Sequence, residues 1–292
     1  MSEQAIFQLE YLPLRFTFLS AGVARLPDFL GSTLRGSIGG VLYQDKELYQ
    51  FLYKNRSLSG GEADVVNPYM ICPPLTESRE YEKGKELRFE MILFGEAIGY
   101  AGLLVKAIMQ QRDIGLGASK YPFTPIKAVH ALDNRIVWKD GGLCDVAFRE
   151  VCLPQRMLED VRQIRVSLLS PLRIRRNGKL LEEIDFKTLI RNITKRVDAL
   201  TARYGGWVSS EEAERVRQLA EAVRTTEYRL QRLDMQRYSR RLAEKMDFDG
   251  MVGRAAFEGD LSCFVPWIGA AEVLHFGRNT TFGMGRIEAE FF

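Results

Sequence analysis

The sequence predicts an α+β chain of two tandem ferredoxin-like (RRM-like) βαββαβ domains, residues 1–155 and 156–292. Three observations lead there. A length of 292 residues is long for one domain and ample for two. The first half reads strand, helix, strand, helix, strand, with room for one more strand near Val65 to Ile71. The second half repeats that order with an insertion, and no sequence repeat underlies it.

The first strand spans Ile6 to Leu19, with Phe7, Leu9 and Tyr11, then Leu14, Phe16 and Phe18, on alternating positions. Pro13 interrupts it and predicts an edge position or a bulge. Pro27-Asp28 opens a helix with Asp28 as N-cap, and Leu30, Leu34, Ile38 and Leu42 form its core stripe. Gly31, Gly36, Gly39 and Gly40 lie in that helix, where each costs up to about 1 kcal/mol, so close approach of another element is expected there. Tyr53 to Glu86 is rich in Gly, Pro and polar residues and reads as turns. A clean strand follows through Leu87, Phe89, Met91 and Leu93. A helix from Ala97 to Gln111 ends at Gly115-Leu116-Gly117, and Tyr121 to Leu132 is another strand.

Pro154 marks the boundary. Val161 to Leu169 opens the second half as a strand that Pro171 stops, and a basic turn follows with Arg173, Arg175, Arg176 and Lys179. The helix from Phe186 to Tyr204 turns Phe186, Ile190, Ile193, Val197 and Leu200 to the core, while Lys187, Arg191 and Lys195 line up on another face. Ser209 and Glu212 make a capping box for a short helix. Thr225 to Ala243 reads as a basic hairpin, or a strand with a loop. Gly250 to Asp260 is a strand, Cys263 to Phe276 a helix, and Gly285 to Phe292 the last strand.

Composition bounds the chemistry. At 46% hydrophobic and 27% charged residues the chain has the balance of a globular protein. No run reaches the ~18 apolar residues of a membrane span, and Met1-Ser2-Glu3-Gln4 has no basic n-region, so a cytoplasmic location is expected. Cys72, Cys144, Cys152 and Cys263 form no CxxC pair, and His130 and His275 are the only histidines. Neither a metal site nor a cofactor is expected from that set, and the cysteines read as free thiols. The net charge is only +3, yet roughly half of all Lys and Arg fall between Arg156 and Lys245. Arg predominates there, and its planar fork suits phosphates, so this stretch is a candidate nucleic-acid face. A solvated, salt-bridged surface would give the same pattern.

The most informative stretch is Phe276-Gly277-Arg278-Asn279-Thr280-Thr281-Phe282-Gly283-Met284-Gly285-Arg286. Its glycines permit positive φ, and successive amides there can form a nest for phosphate oxygens. It lacks G-K-[ST] and follows a helix rather than a strand, so it is neither a P-loop nor a dinucleotide fingerprint. A helix, then G-R-N-T-T-F-G-M-G-R, then a C-terminal strand resembles the glycine-rich loop of the CRISPR-associated RAMP superfamily. Leu34-Arg35-Gly36, Gly115-Leu116-Gly117-Ala118 and Ser170-Pro171-Leu172-Arg173 resemble further elements of that superfamily. In order and spacing the best match is its precursor-CRISPR-RNA endoribonuclease branch, the Cas6 family.

The resemblance implies a metal-independent endoribonuclease that binds CRISPR repeat RNA and cleaves precursor crRNA. In that chemistry a 2′-hydroxyl attacks the adjacent phosphate and leaves a 2′,3′-cyclic phosphate. Effector-complex subunits would be further partners, and no membrane is. Many members carry a His in or just after the first helix, and this sequence has none there. His275, beside the glycine-rich loop, is the first candidate for proton transfer, against a structural role closing the last helix. Tyr43, Tyr53 and Lys54 are the second candidates, against ordinary packing and surface charge. Arg173, Arg175, Arg176 and Lys179 are candidate RNA contacts, as are Arg229, Arg232, Arg240 and Arg241. In the loop, Gly277, Arg278, Thr280, Gly283, Gly285 and Arg286 complete the expected RNA-binding set. Two other functions fit the same residues: a non-catalytic RAMP subunit that binds crRNA, and a metabolic enzyme that holds a phosphorylated ligand in the loop.

Overall fold

The computed structural model describes residues 5–54, 66–75, 79–144, 148–239 and 244–292. The chain divides into two compact units, Glu10–Cys152 and Leu153–Phe292, with the segment ending at Leu9 joined to the second. Phe7–Gln8 pairs antiparallel with Trp207–Val208, and the Leu153 amide donates to the Leu9 carbonyl at 2.8 Å. A boundary at residue 155 would assign these N-terminal residues to the first domain, and their pairing assigns them to the second.

In the first unit, β1 (Glu10–Ser20), β2 (Tyr69–Cys72), β3 (Glu86–Phe94) and β4 (Tyr121–His130) form a sheet in the order β2-β3-β1-β4. A further strand, β5 (Ile136–Lys139), pairs with β4. With α1 (Gly31–Leu42), α2 (Lys46–Tyr53) and α3 (Ala101–Met109) this is the ferredoxin-like arrangement. Phe16 and Phe18 from β1 close on Phe89 of β3 at ring-centroid distances of 5.5 and 5.0 Å.

Pro13 is not at an edge. It lies in the central strand, opposite Ile92 of β3. Its carbonyl accepts from Ala131 N at 2.8 Å, where the ladder to β4 has just run out. The Arg15 guanidinium meets the Ala131 carbonyl at 2.9 Å, so the missing proline N–H leaves no orphaned acceptor there. Asp28 does not cap α1. The N-cap is Leu30, and Asp28 pairs with Arg79. Ile114–Leu116 is a short strand pairing with β4 rather than a helix terminus. Of the α1 glycines, Gly39 explains itself: a Cβ there would lie 2.6 Å from the Tyr53 ring, whereas Gly36 and Gly40 face open space.

In the second unit, β6 (Gln163–Leu172), β9 (Arg224–Leu233), β10 (Gly250–Glu258) and β11 (Ile287–Phe291) form a four-stranded antiparallel sheet in the order β9-β10-β6-β11. Between β6 and β9 lie the two-residue strands β7 (Arg175–Arg176) and β8 (Lys179–Leu180), then α4 (Phe186–Tyr204) and α5 (Ser210–Leu219). The β7–β8 turn is Asn177-Gly178, both at positive φ, as a tight hairpin requires. α6 (Val265–Leu274) joins β10 to β11. The strand order repeats that of the first unit, so the chain is α+β with tandem ferredoxin-like units, and α5 is the insertion. Its capping box forms as expected: the Glu212 amide donates to Ser209 Oγ at 3.2 Å. Pro171 does not stop β6. The strand continues to Leu172 through a register shift between Leu168 and Leu172.

All four cysteines are free. Among the described residues no helix is long and apolar enough to cross a membrane.

Candidate functional site

Two groups of side chains stand out, one in each unit. In the first unit α1 ends at Leu42, Asp45 caps α2 through the Leu48 amide at 3.0 Å, and the chain turns back on itself. That turn gathers aromatic rings. Tyr49 and Tyr53, four residues apart on α2, stack at 5.3 Å, and Tyr53 stacks on Tyr69 of β2 at 5.2 Å. Tyr43 meets Tyr49 edge-on at 5.2 Å, and the Lys54 ammonium lies 5.8 Å from the Tyr49 centroid. Arg35 sits 4.8 Å over the Tyr53 ring.

This grouping brings Tyr43, Tyr53 and Lys54 together and separates their roles. Tyr43 is 66% exposed and Lys54 is exposed. Tyr53 is packed in, its hydroxyl donates to the Arg35 carbonyl at 3.0 Å, and burial pushes its pKa well above the ordinary 10. It stays protonated and fixes the backbone of α1 beside Arg35. Arg35, Tyr49 and Tyr69 join the group only through folding. The sole hint in sequence was the i,i+4 spacing of Tyr49 and Tyr53.

In the second unit the glycine-rich loop and the end of β6 clasp each other. Ser170 Oγ donates to the Gly283 carbonyl at 2.7 Å and accepts from the Arg286 amide at 2.9 Å. The Gly285 amide donates to Pro171 O at 3.0 Å and the Arg278 amide to Arg173 O at 2.7 Å. The Phe282 and Gly283 amides close a short turn onto Asn279 and Thr280. Five loop amides are thus engaged by the protein itself, and Thr280 and Gly283 are buried. Gly277, Gly283 and Gly285 all have positive φ. What this loop turns outward is the Arg278 side chain, with Arg286 half-buried. Ser170→Ala removes both of its bonds at a buried site, so a loss of about 1–3 kcal/mol is expected, measured by denaturant unfolding.

Arg173, expected at the surface, is 3% exposed. It donates to the Asp249 and Asp247 carbonyls and lies 5.5 Å over the Phe248 ring, so it braces the segment behind β10. Arg175, Arg176 and Lys179 on the β7–β8 hairpin are exposed. Arg229 pairs with Glu227 at 2.7 Å, and Arg232 pairs with Asp249, Asp234 and Glu182. The Tyr228 hydroxyl accepts from Ile184 N and donates to Glu182 O, at 3.2 Å each. Arg240 and Arg241 lie outside the described residues.

His275 ends α6 at positive φ, 2% exposed. Burial, together with the Arg286 and Arg196 cations, brings its pKa down to about 3, and its ring hydrogen-bonds the Met284 backbone. A neutral, enclosed imidazole is out of reach of a ligand and does not exchange protons near pH 7, which runs against the expected proton-transfer role. The sign of its linkage follows. The folded pKa lies below the unfolded 6.5, so the unfolded chain binds the proton first. Stability is expected to fall from pH 6.5 towards pH 3, by up to roughly 4–5 kcal/mol from this group. Urea midpoints of His275→Gln should decline less steeply over that interval than those of the wild type, and equal slopes would count against the buried neutral ring.

Residues 166–287 match the family described as CRISPR-associated endoribonuclease Cas6. Over those residues the chain is similar to the Cas6 family. Residues 9–147 match a second family, described as an N-terminal domain. No curated protein matches the chain in sequence. Among solved structures, a Cas6 product complex is similar over 96% of this chain and all of the other, at a TM-score of 0.63 and 15% identity. Thermus thermophilus Cas6 is similar over 98% of this chain and all of the other, at a TM-score of 0.57 and 13% identity. A partial Cas6-RT-Cas1–Cas2 complex matches 97% of this chain at a TM-score of 0.64 and 11% identity, and this chain spans 46% of that longer one. At these identities the likeness is one of fold. His130 is also buried, its ring 3.1 Å from Asp133 and 3.0 Å from Arg149 O.

Proposed function

We propose that this chain binds CRISPR repeat RNA and cuts precursor crRNA by attack of a 2′-hydroxyl on the adjacent phosphate. The 2′-oxygen forms a new bond to phosphorus as the bond to the 5′-oxygen breaks. One proton leaves the 2′-oxygen and one reaches the 5′-oxygen, giving a 2′,3′-cyclic phosphate and a 5′-hydroxyl. The grouping at the α1–α2 turn carries this reading: an exposed phenol and an exposed ammonium flank one ring, beside a guanidinium set over the Tyr53 ring. In this reading Tyr43 moves a proton, Lys54 stabilises charge on the phosphorane, and Tyr53 positions Arg35. Arg175, Arg176, Lys179, Arg278 and Arg286 hold the RNA backbone, and Gly277, Thr280, Gly283 and Gly285 shape the loop that carries the last two.

The test is cleavage of RNA carrying the host's own repeat, with EDTA in excess, beside a copy bearing a 2′-deoxy nucleotide at the cut site. One cut that survives EDTA and vanishes in the deoxy copy is expected. A cut that persists in the deoxy copy overturns the mechanism. A second reading, a crRNA-binding subunit without nuclease activity, is favoured by the burial of both histidines. Tight, salt-sensitive binding with no cut would select it.

A further inference from the structure

α4 packs its apolar side into the second unit and turns Lys187, Arg191 and Lys195 outward. These residues repeat every four positions, so their stems follow one another at about 6 Å along the helix. Opposite them the inserted α5 contributes Glu214, Arg217 and Gln218, and Glu221 follows it. Together they line an open cleft of about 310 Å³.

The charges in this cleft are unevenly matched. Lys187 pairs with Glu221, and Arg217 lies 3.5 Å from Glu214 while donating to the Thr194 hydroxyl at 2.8 Å. Gln218 donates to Glu214 at 3.2 Å. Arg191 and Lys195 have no ion-pair partner among the described residues, and both are exposed. No aromatic or apolar side chain lines the cleft among the described residues. A protein partner needs apolar or aromatic anchors at the centre of its footprint, and a base needs a ring or planar edge to stack on. This lining offers neither. It offers cations repeated at regular intervals, which suits the repeating phosphates of a nucleic-acid strand.

The hairpin also meets α4: Arg176 of β7 donates to the Thr188 hydroxyl in the first turn of α4 at 3.2 Å.

We infer that the α4–α5 cleft is a second RNA contact, holding the phosphates of single-stranded RNA through Arg191 and Lys195 without regard to base sequence. The inference rests on the reading of this chain as an RNA-binding protein, but not on its cleavage activity.

The probe is a 12-nucleotide oligouridylate, which carries no repeat. The full chain and its Arg191→Gln/Lys195→Gln variant are titrated by fluorescence anisotropy across a range of salt. Both substitutions lie on an exposed helix face, and circular dichroism checks the fold. The variant is expected to bind about tenfold more weakly, with the salt slope reduced by about 1.4, the value for two single-strand phosphate contacts. Glu214→Gln/Glu221→Gln is expected to bind more tightly than the wild type. Equal affinity and equal salt slope in wild type and Arg191→Gln/Lys195→Gln overturn the inference, as does a wild type that does not bind oligouridylate at all. Polyglutamate that binds in place of oligouridylate would instead mark the cleft as a contact for an acidic protein. Binding and cutting of repeat RNA are measured separately with the wild type. If the repeat is neither bound nor cut by the wild type, the functional proposal fails, whatever oligouridylate does.

Discussion

Replacing Gly285 with alanine is expected to destabilise the chain by more than about 3 kcal/mol. The residue has φ of +72°, where an L side chain costs about 1–2 kcal/mol. The larger cost is steric. A Cβ at this position would lie 1.9 Å from the Phe276 carbonyl oxygen and 3.0 Å from its carbon. That obstacle is backbone, held by the end of α6 on one side, and the Gly285 amide is tied to Pro171 O on the other. Relief would have to break the clasp between the loop and the end of β6. The same substitution at Gly36 or Gly40 makes the contrast. Both lie in α1 with open space where a Cβ would go, so Gly→Ala there should stabilise by about 0.5–1 kcal/mol. Thermal or urea unfolding of the three variants checks both directions. A Gly285→Ala protein as stable as the wild type would refute the clasp.

The second large effect concerns catalysis. Tyr43→Phe combined with Lys54→Ala is expected to slow single-turnover cleavage of repeat RNA by about 10²–10⁴-fold while binding changes little. Both side chains stand at the surface around Tyr49, so their loss leaves no cavity and the fold should persist. His275→Gln should instead show its effect in stability. Its ring is enclosed and neutral through the range in which the reaction would be measured, so cleavage by folded variant should stay near the wild-type rate. A His275 variant with unchanged unfolding and abolished cleavage would reverse these assignments.

Much of the fold was legible because it depends on local periodicity. Phe186, Ile190, Ile193, Val197 and Leu200 are all buried in α4, as their spacing demanded, and the Ser209–Glu212 box caps the helix it announced. The two prolines show where local rules fall short. Pro13 was expected at an edge or a bulge and Pro171 at a strand end; Pro13 lies in the central strand, and Pro171 is the penultimate residue of β6, within a register shift. A neighbouring ladder that ends, or a bulge, removes the need for the missing N–H, and neither feature can be read from the residues beside the proline. The same limit applied to charge. Arg173, Arg175 and Arg176 look alike in sequence, but only the last two reach solvent, because β6 carries Arg173 under Phe248 and the Asp247 and Asp249 carbonyls.

The sequence by itself determined the order of the main strands and helices, though not α2 or β5, together with the tandem architecture and the family resemblance of the glycine-rich loop. Apolar period, capping residues and glycine positions are properties of short stretches of chain. The tertiary structure decided what those stretches are for. It turned the loop's amides inward onto Ser170, Pro171 and Arg173, buried His275, and gathered Tyr43, Tyr49, Tyr53, Tyr69, Lys54 and Arg35 into one group. Exposure, desolvation and the meeting of side chains distant in sequence depend on how the elements pack, and no local pattern encodes them.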